Sequence, residues 1–228
     1  SNINNATAAE SIDVRFGSGT VPLELDEEAR KRSGIGQTAS FSSGARVRLD
    51  YDMSILLEAE GQAVNYSGKK FDDFSLQLAA GPEFKLGSAT TFSLQAIGQQ
   101  RWYGGQMAAR QFGVKAGLQT VLDAGQRIGL QLDVRNTNSG FSSAYDGWQI
   151  GGYATYERVI QRSLIASATL YARRDLFEGK PYSSTDYGFE LGIGGELPWG
   201  INAGVSAGLG HAGFDAPLFL FSEDERSD

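Results

Sequence analysis

The stretch FSLQLAAGPEFKL, residues 74–86, alternates between apolar and polar positions and decides the fold class. Phe74 and Leu76 fall on one side of an extended chain, whereas Ser75 and Gln77 fall on the other. Successive side chains of a β-strand point to opposite faces, so a period of two is typical of a strand with one apolar face. The stretch therefore predicts one long β-strand.

The same alternation recurs along the chain, for example in 112–119, 128–135 and 187–197. The predicted strands run to roughly 12 to 15 residues, more than twice the common length in soluble sheets. A strand that crosses a bilayer at a tilt needs about 9–11 residues. The strand lengths therefore favour a sheet that spans a membrane.

Turn signals separate these strands, and short connections alternate with long ones along the chain. The short ones are LDYD (49–52), LGSAT (86–90), LDAGQ (122–126), VIQRS (159–163) and LPWGI (197–201). The predicted long connections are YSGKKFDD, YGGQMAAR, RNTNSGFSSAYDG and RRDLFEGKPYSSTD. Tight turns at one end and long loops at the other are typical of outer-membrane barrels.

The predicted fold is all-β, a transmembrane antiparallel up-and-down β-barrel with about 10–11 strands in this chain. The eleventh would be a partial strand at SNINN. A soluble barrel or sandwich is the alternative, but its solvent face would carry more Lys and Glu than these Gly-, Ser-, Thr- and Gln-rich faces. Residues 1–228 are predicted to form a single outer-membrane domain. Its ends, SNINNATAAE without Met and the charged EDERSD, are expected to be cuts within a longer protein.

Aromatic residues gather at the predicted strand ends, where outer-membrane barrels carry aromatic girdles. The predicted membrane-interface aromatics are Trp102, Trp148, Trp199, Tyr145 and Tyr187. In QQRWYGGQ (99–106), alternation turns Trp102 toward lipid and the residues beside it toward the barrel interior.

Charged and polar residues occupy the other face of the predicted strands. The candidate lumen-facing residues are Arg101, Tyr103, Lys115, Asp133, Arg135 and Glu190, and the same face is predicted to carry Arg46, Arg48, Glu58, Glu60, Glu157, Arg173 and Glu196. Because both signs are present among many glycines, this face does not describe a strongly ion-selective pore. It could cross-link opposite walls or line a conduit.

Pro82 lies inside an otherwise strong strand, where it cannot donate a ladder hydrogen bond. We expect a β-bulge near the turn end of this strand to accommodate it.

Composition excludes several classes of function. The chain has 0 Cys and 1 His, so thiolate metal sites, disulfides and the usual zinc ligand sets are not expected. The formal net charge is −7 without a basic block, which argues against a nucleic-acid partner. We expect no cofactor.

The stretch GVSAG (204–208) matches the nucleophile-elbow pattern of hydrolases, and His211 follows it. That elbow needs a strand-to-helix turn, whereas INAGVSAGLG continues a period-two strand. Ser206 and His211 differ by an odd number of positions and should point to opposite faces. The sequence therefore predicts no enzyme, with a barrel-borne lipid hydrolase as the remote alternative.

Four motifs, in order along nearly the whole chain, resemble the C-terminal barrel domain of the surface lipoprotein assembly modifier (Slam) family. They are SNINNAT, PLELDEEARKRSGIGQTAS, RWYGG and ELPWG. The resemblance implies a periplasmic tetratricopeptide-repeat domain before a barrel of about fourteen strands. We therefore expect the repeat domain before Ser1, and about three further strands after Asp228, to belong to parts of a longer protein outside this sequence.

The resemblance also implies a function and a cellular location. We expect a bacterial outer-membrane barrel that assists translocation or surface display of lipoproteins or soluble secreted client proteins. Its expected partners are outer-membrane lipids and the client. A porin-like passive channel is the alternative.

Overall fold

The computed structural model describes residues 11–16, 19–24, 36–66, 72–161, 164–197 and 201–217. In these ranges the chain forms twelve β-strands and two single-turn 3-10 helices. The strands are β1 Ser11–Phe16, β2 Gly19–Glu24, β3 Gly36–Arg48, β4 Met53–Tyr66, β5 Asp73–Leu86, β6 Thr90–Tyr103, β7 Gln106–Asp123, β8 Gln126–Ser139, β9 Gly147–Gln161, β10 Leu164–Phe177, β11 Ser184–Leu197 and β12 Ile201–Phe214.

Strands β3 to β12 form one ten-stranded sheet in which each strand pairs with the next along the chain. Every pairing is antiparallel. The predicted all-β, up-and-down class is thus confirmed. Among the described residues β3 and β12 are the edges of the sheet, and β1 and β2 form a separate hairpin. The partial strand predicted at SNINN lies outside the described residues.

The strands form where the sequence alternates, and the two faces of the sheet differ sharply. In β8, Leu132 is 65% exposed, whereas its chain neighbour Asp133 is 8% exposed. Directly paired residues of an antiparallel sheet share a face, so each strand continues this division into its neighbour. The apolar face is therefore the exposed one, the reverse of a sheet in a soluble protein.

The prediction of a long loop at YGGQMAAR is wrong. Strands β6 and β7 are joined by Gly104 and Gly105 alone, with φ of 57° and 79°. Two successive residues with positive φ make the turn that matches the twist of paired strands, and glycine adopts it without steric cost. The chain after Gly105 is already strand β7.

Two other connections at the same end of the sheet are longer and contain the 3-10 helices. The first 3-10 helix, Ser143–Tyr145, lies between β8 and β9, and the second, Lys180–Tyr182, lies between β10 and β11. No helix of the described residues has the length and hydropathy to cross a membrane.

The bulge expected at Pro82 does not occur. Ala80 pairs with Ala96 and Glu83 with Ser93, so the register between β5 and β6 is the same on both sides of the proline. Gly81 and Pro82 have no partner on β6, while Pro82 still faces Ile55 on β4. The missing N–H interrupts one ladder locally without displacing the strand.

Candidate functional site

The face of the sheet that contains Asp133, called here the polar face, holds six ion pairs among the described residues. They are Arg46–Glu83, Glu58–Lys115, Asp73–Arg101, Arg127–Glu157, Asp133–Arg135 and Arg173–Asp175. The register places both members of each pair on this face. The polar face is therefore the candidate functional site.

The pair between Lys115 and Glu58 shows how the sheet curves. Lys115 lies on β7 and Glu58 on β4, three strands away. In a flat sheet their Cα atoms would be about 14 Å apart, too far for the two side chains to meet. Because Lys115 Nζ donates a hydrogen bond to Glu58 Oε2, the sheet must curve around the polar face. The polar face is concave.

Arg135 connects three strands across this concavity. Its Nε donates to Asp133 Oδ2 at 2.9 Å, and its Nη1 donates to Gln77 Oε1 at 2.9 Å and Gln99 Oε1 at 3.0 Å. A guanidinium presents several donors in a fixed plane, so one side chain can serve a carboxylate and two amides at once. Asp133 and Arg135, both predicted from sequence, are brought together here.

A second network, centred on buried Gln149 of β9, lies beside the first. Its Oε1 accepts from Gln111 Nε2 at 2.6 Å and from Thr137 Oγ1 at 3.1 Å, and its Nε2 donates to Asp175 Oδ1 at 3.1 Å. Arg173 Nε donates to the same carboxylate at 2.8 Å. Sequence reasoning missed the glutamines, although their alternation with apolar neighbours was a usable signal.

The remaining predicted residues of this set also lie on the polar face. Arg101 Nε donates to Asp73 Oδ1 at 2.9 Å, and Tyr103 is paired with the same aspartate in the register. Glu190 on β11 is exposed, is paired with Thr169 and makes no ion pair with a described residue. That the polar face encloses a lumen stays a prediction.

Strands β11 and β12 present a different polar face, built largely of glycine. Gly188, Gly192 and Gly194 of β11 are paired with Gly210, Ser206 and Gly204 of β12. The ring of Tyr171 from β10 lies across this surface, and a Cβ at Gly188 would come 2.7 Å from its Cζ while one at Gly210 would overlap its hydroxyl. The glycines leave room for this ring.

The predicted membrane-interface aromatics lie on the apolar face of the sheet or in the connections between its strands. Trp102 points to the apolar face and stacks on Phe74 with ring centroids 5.3 Å apart. Trp148 and Tyr187 are about half exposed on the same face. Trp199 lies outside the described residues. That these rings lie at a membrane interface stays a prediction.

Tyr145 lies in the first 3-10 helix and links two connections. Its ring stacks on Tyr182 of the second 3-10 helix, with centroids 4.3 Å apart. Backbone hydrogen bonds join the same segments, from the N–H of Gly179 to the carbonyl of Ala144 at 3.0 Å. Burial raises the pKa of Tyr145, and a hydrogen bond with Tyr182 adds to the shift. The two connections form one hydrogen-bonded rim.

An ion pair outside the polar face joins β10 to the residue that follows β12. Arg174 Nη1 donates to Asp215 Oδ1 at 2.7 Å, just after β12 ends. This guanidinium hydrogen bond lowers the pKa of Asp215. The N–H of Asp215 also donates to the carbonyl of Ser183 at 3.0 Å, so the end of β12 contacts the rim as well.

The hydrolase motif does not form a site. Ser206 is paired with Gly192 on the polar face, whereas His211 is paired with Tyr187 on the apolar face, its ring 5.5 Å from that tyrosine. The two side chains cannot act as a nucleophile and base because the sheet separates them. Among the described residues no His, Asp or Glu side chains converge as a metal site would require.

Comparison with known families gives one match, and it covers the whole chain. A family model described as surface lipoprotein assembly modifier matches residues 1–228. The description names the family as an assembly modifier and names no enzymatic activity. No curated protein is similar enough to the chain to count as a match.

Proposed function

We propose that the ten-stranded sheet of this chain, which belongs to the surface lipoprotein assembly modifier family, is part of the wall of an outer-membrane barrel. This barrel assists the translocation or surface display of a client lipoprotein or a soluble secreted client. The bilayer contacts the apolar face, and the client passes or docks on the polar face.

The observation that carries this proposal is the inverted arrangement of the two faces. In a water-soluble sheet, Leu132 would be covered and Asp133 would be solvated, yet their exposures are 65% and 8%. A membrane barrel resolves this reversal because lipid covers the apolar face while the charged face is shielded within.

Space for a client is distributed unevenly over the polar face. From β4 to β9 the long side chains bind one another across strands, as Arg135 does with Gln77 and Gln99. On β11 and β12 glycine and Ser206 make up most of the polar face, and its acidic residues Asp186 and Glu190 form no ion pair with a described residue. The proposal places the client against β11 and β12, where no charged network has to be broken.

Reconstitution tests the proposal. The full-length protein is folded into liposomes that also receive client and a periplasmic chaperone, and the client that becomes accessible to external protease is measured. We expect accessibility to require both the protein and the chaperone. A protein that inserts but conducts ions steadily without any client dependence would be a passive channel and would contradict the proposal.

Two neighbouring substitutions on β12 locate the client's path. Ser206→Trp adds bulk to the polar face, whereas Leu209→Trp adds the same bulk to the apolar face, where Leu209 is 72% exposed. We expect the first to reduce client display several-fold and the second to leave it unchanged. Equal effects of the two would contradict a path along this part of the polar face.

A further inference from the structure

The apolar face contains a groove of about 810 Å³ at the end of the sheet where β9 and β10 are joined. Its lining comes from four strands, β9 to β12. Ala166 and Ala168 of β10 lie at its centre, and Tyr156, Leu191 and Ile193 stand beside them. The volume falls within the range of small-molecule sites in proteins.

The register explains why a groove forms there. Ala168 is paired with Tyr156 on one side and Leu191 on the other, and Ala166 lies between Arg158 and Ile193. Ala166 and Ala168, which follow one another on the apolar face of β10, are thus flanked by large residues on both neighbouring strands. The groove runs along β10, with a floor of methyl groups and taller walls.

Arg158 gives the groove a charge. It is exposed, lines the groove and makes no ion pair with a described residue. No Asp or Glu lines the groove. A cation at the rim of an apolar channel matches an amphipathic molecule with an anionic head and a hydrocarbon tail, since guanidinium binds phosphate through two parallel hydrogen bonds.

A second groove on the apolar face lacks this charge. It has about 610 Å³ and is lined by residues of β3 to β7, among them Ala45, Ala80 and Phe112. No Lys or Arg lines it. Both grooves are lined by alanines, but the charged lining residue of the first is Arg158 and that of the second is Glu58.

The geometry points to a binding site for one bilayer phospholipid with an anionic head group, its phosphate at Arg158 and one acyl chain along Ala166 and Ala168. This inference rests on the proposed membrane location of the apolar face. A single basic residue near a membrane surface attracts anionic lipid only weakly, so the site should prefer anionic lipid several-fold without binding it tightly.

Native mass spectrometry of the full-length protein tests the site. The protein is extracted from membranes in detergent, stripped of lipid and titrated with phosphatidylglycerol or phosphatidylcholine of the same chain length. We expect several-fold more of the first lipid bound to the unsubstituted protein. Arg158→Gln should bring the two lipids to parity, and Ala168→Phe, which fills the floor, should reduce binding of both.

Arg110→Gln is the matched control because Arg110 lies on the apolar face of β7 and lines neither groove. It should leave the preference unchanged. No preference in the unsubstituted protein, a preference kept by Arg158→Gln, or one lost equally in Arg110→Gln would each overturn the inference. Failure of the protein to insert into liposomes would instead count against the proposed function, so the two failures are distinguishable.

Discussion

The polar face of β4 to β9 and the polar face of β11 and β12 are built from opposite kinds of residues. In the first region, long charged and amide side chains bind one another over distances of up to three strands, as Lys115 and Glu58 do. In the second region, glycines lie in paired rows and no described residue of either strand forms an ion pair on this face. The sheet therefore has one cross-linked wall and one smooth wall.

The two sets of side chains suit different roles. A network whose charges are all paired holds its side chains in one arrangement, and breaking it leaves a poorly hydrated charge. A glycine-rich surface has no such network to lose, and its neighbour Tyr171 supplies the packing that glycine lacks. We interpret the first region as the rigid wall of the fold and the second as the wall that meets the client.

Breaking the cross-linked wall should have the largest effect on stability. Lys115→Met leaves Glu58 without its partner, and since both side chains are largely covered we expect a loss of about 2–4 kcal/mol in the free energy of unfolding. Urea unfolding of the protein folded in lipid vesicles measures it.

The double variant with Glu58→Gln provides the control for this pair. It should lose less than the sum of the two single losses, since the uncompensated charge is gone. Strict additivity would mean that Lys115 and Glu58 do not interact in the folded protein.

Crowding the smooth wall should have a smaller effect. Gly210→Ala would push against the hydroxyl of Tyr171, and we expect a loss of about 1–3 kcal/mol in the free energy of unfolding, measured in the same way. Adding Tyr171→Ala should relieve the overlap.

Gly129→Ala on the cross-linked wall is the matched control, because a Cβ there has no atom within 4 Å. It should be neutral or raise stability by about 0.4–1 kcal/mol through the unfolded state. A loss as large as that of Gly210→Ala would refute the steric explanation.

The smallest effect concerns the ion pair between Arg174 of β10 and Asp215, just after β12. The pKa of Asp215 is lowered in the folded protein by Arg174, so the pair stabilises the fold at pH values above the unfolded pKa of about 3.9. This stability is lost as pH falls through the lowered folded pKa. For an exposed pair we expect about 0.2–1 kcal/mol.

The comparison to make is between the unsubstituted protein and Arg174→Gln, as a function of pH. The unsubstituted protein should be the more stable near pH 7, and the difference in unfolding free energy should shrink toward zero in acid. A difference that does not change with pH would show that Arg174 acts through packing alone.

Alternation was enough to predict the strands and the faces of Trp102, Lys115 and Asp133, because it depends only on neighbouring residues. It failed at Gly104 and Gly105, where a polar segment was read as a long loop although two adjacent glycines also form a tight turn.

The contacts of the candidate site lay beyond sequence reasoning for a different reason. Lys115 and Glu58 are 57 positions apart in the chain, and Arg135 meets Gln77 only because the sheet curves. Register and curvature are properties of the assembled sheet, so alternation can place such residues on a face but cannot select their partners.

If the apolar face meets lipid while the polar face is shielded from it, two neighbouring residues of β8 should have different surroundings. The chain has 0 Cys, so a single cysteine at Leu132 or at Gln131 carries a spin label without background. In bilayers, we predict that the label at 132 collides mainly with oxygen dissolved in lipid and the label at 131 mainly with a water-soluble nickel complex. Equal access of the nickel complex to both positions would contradict the account.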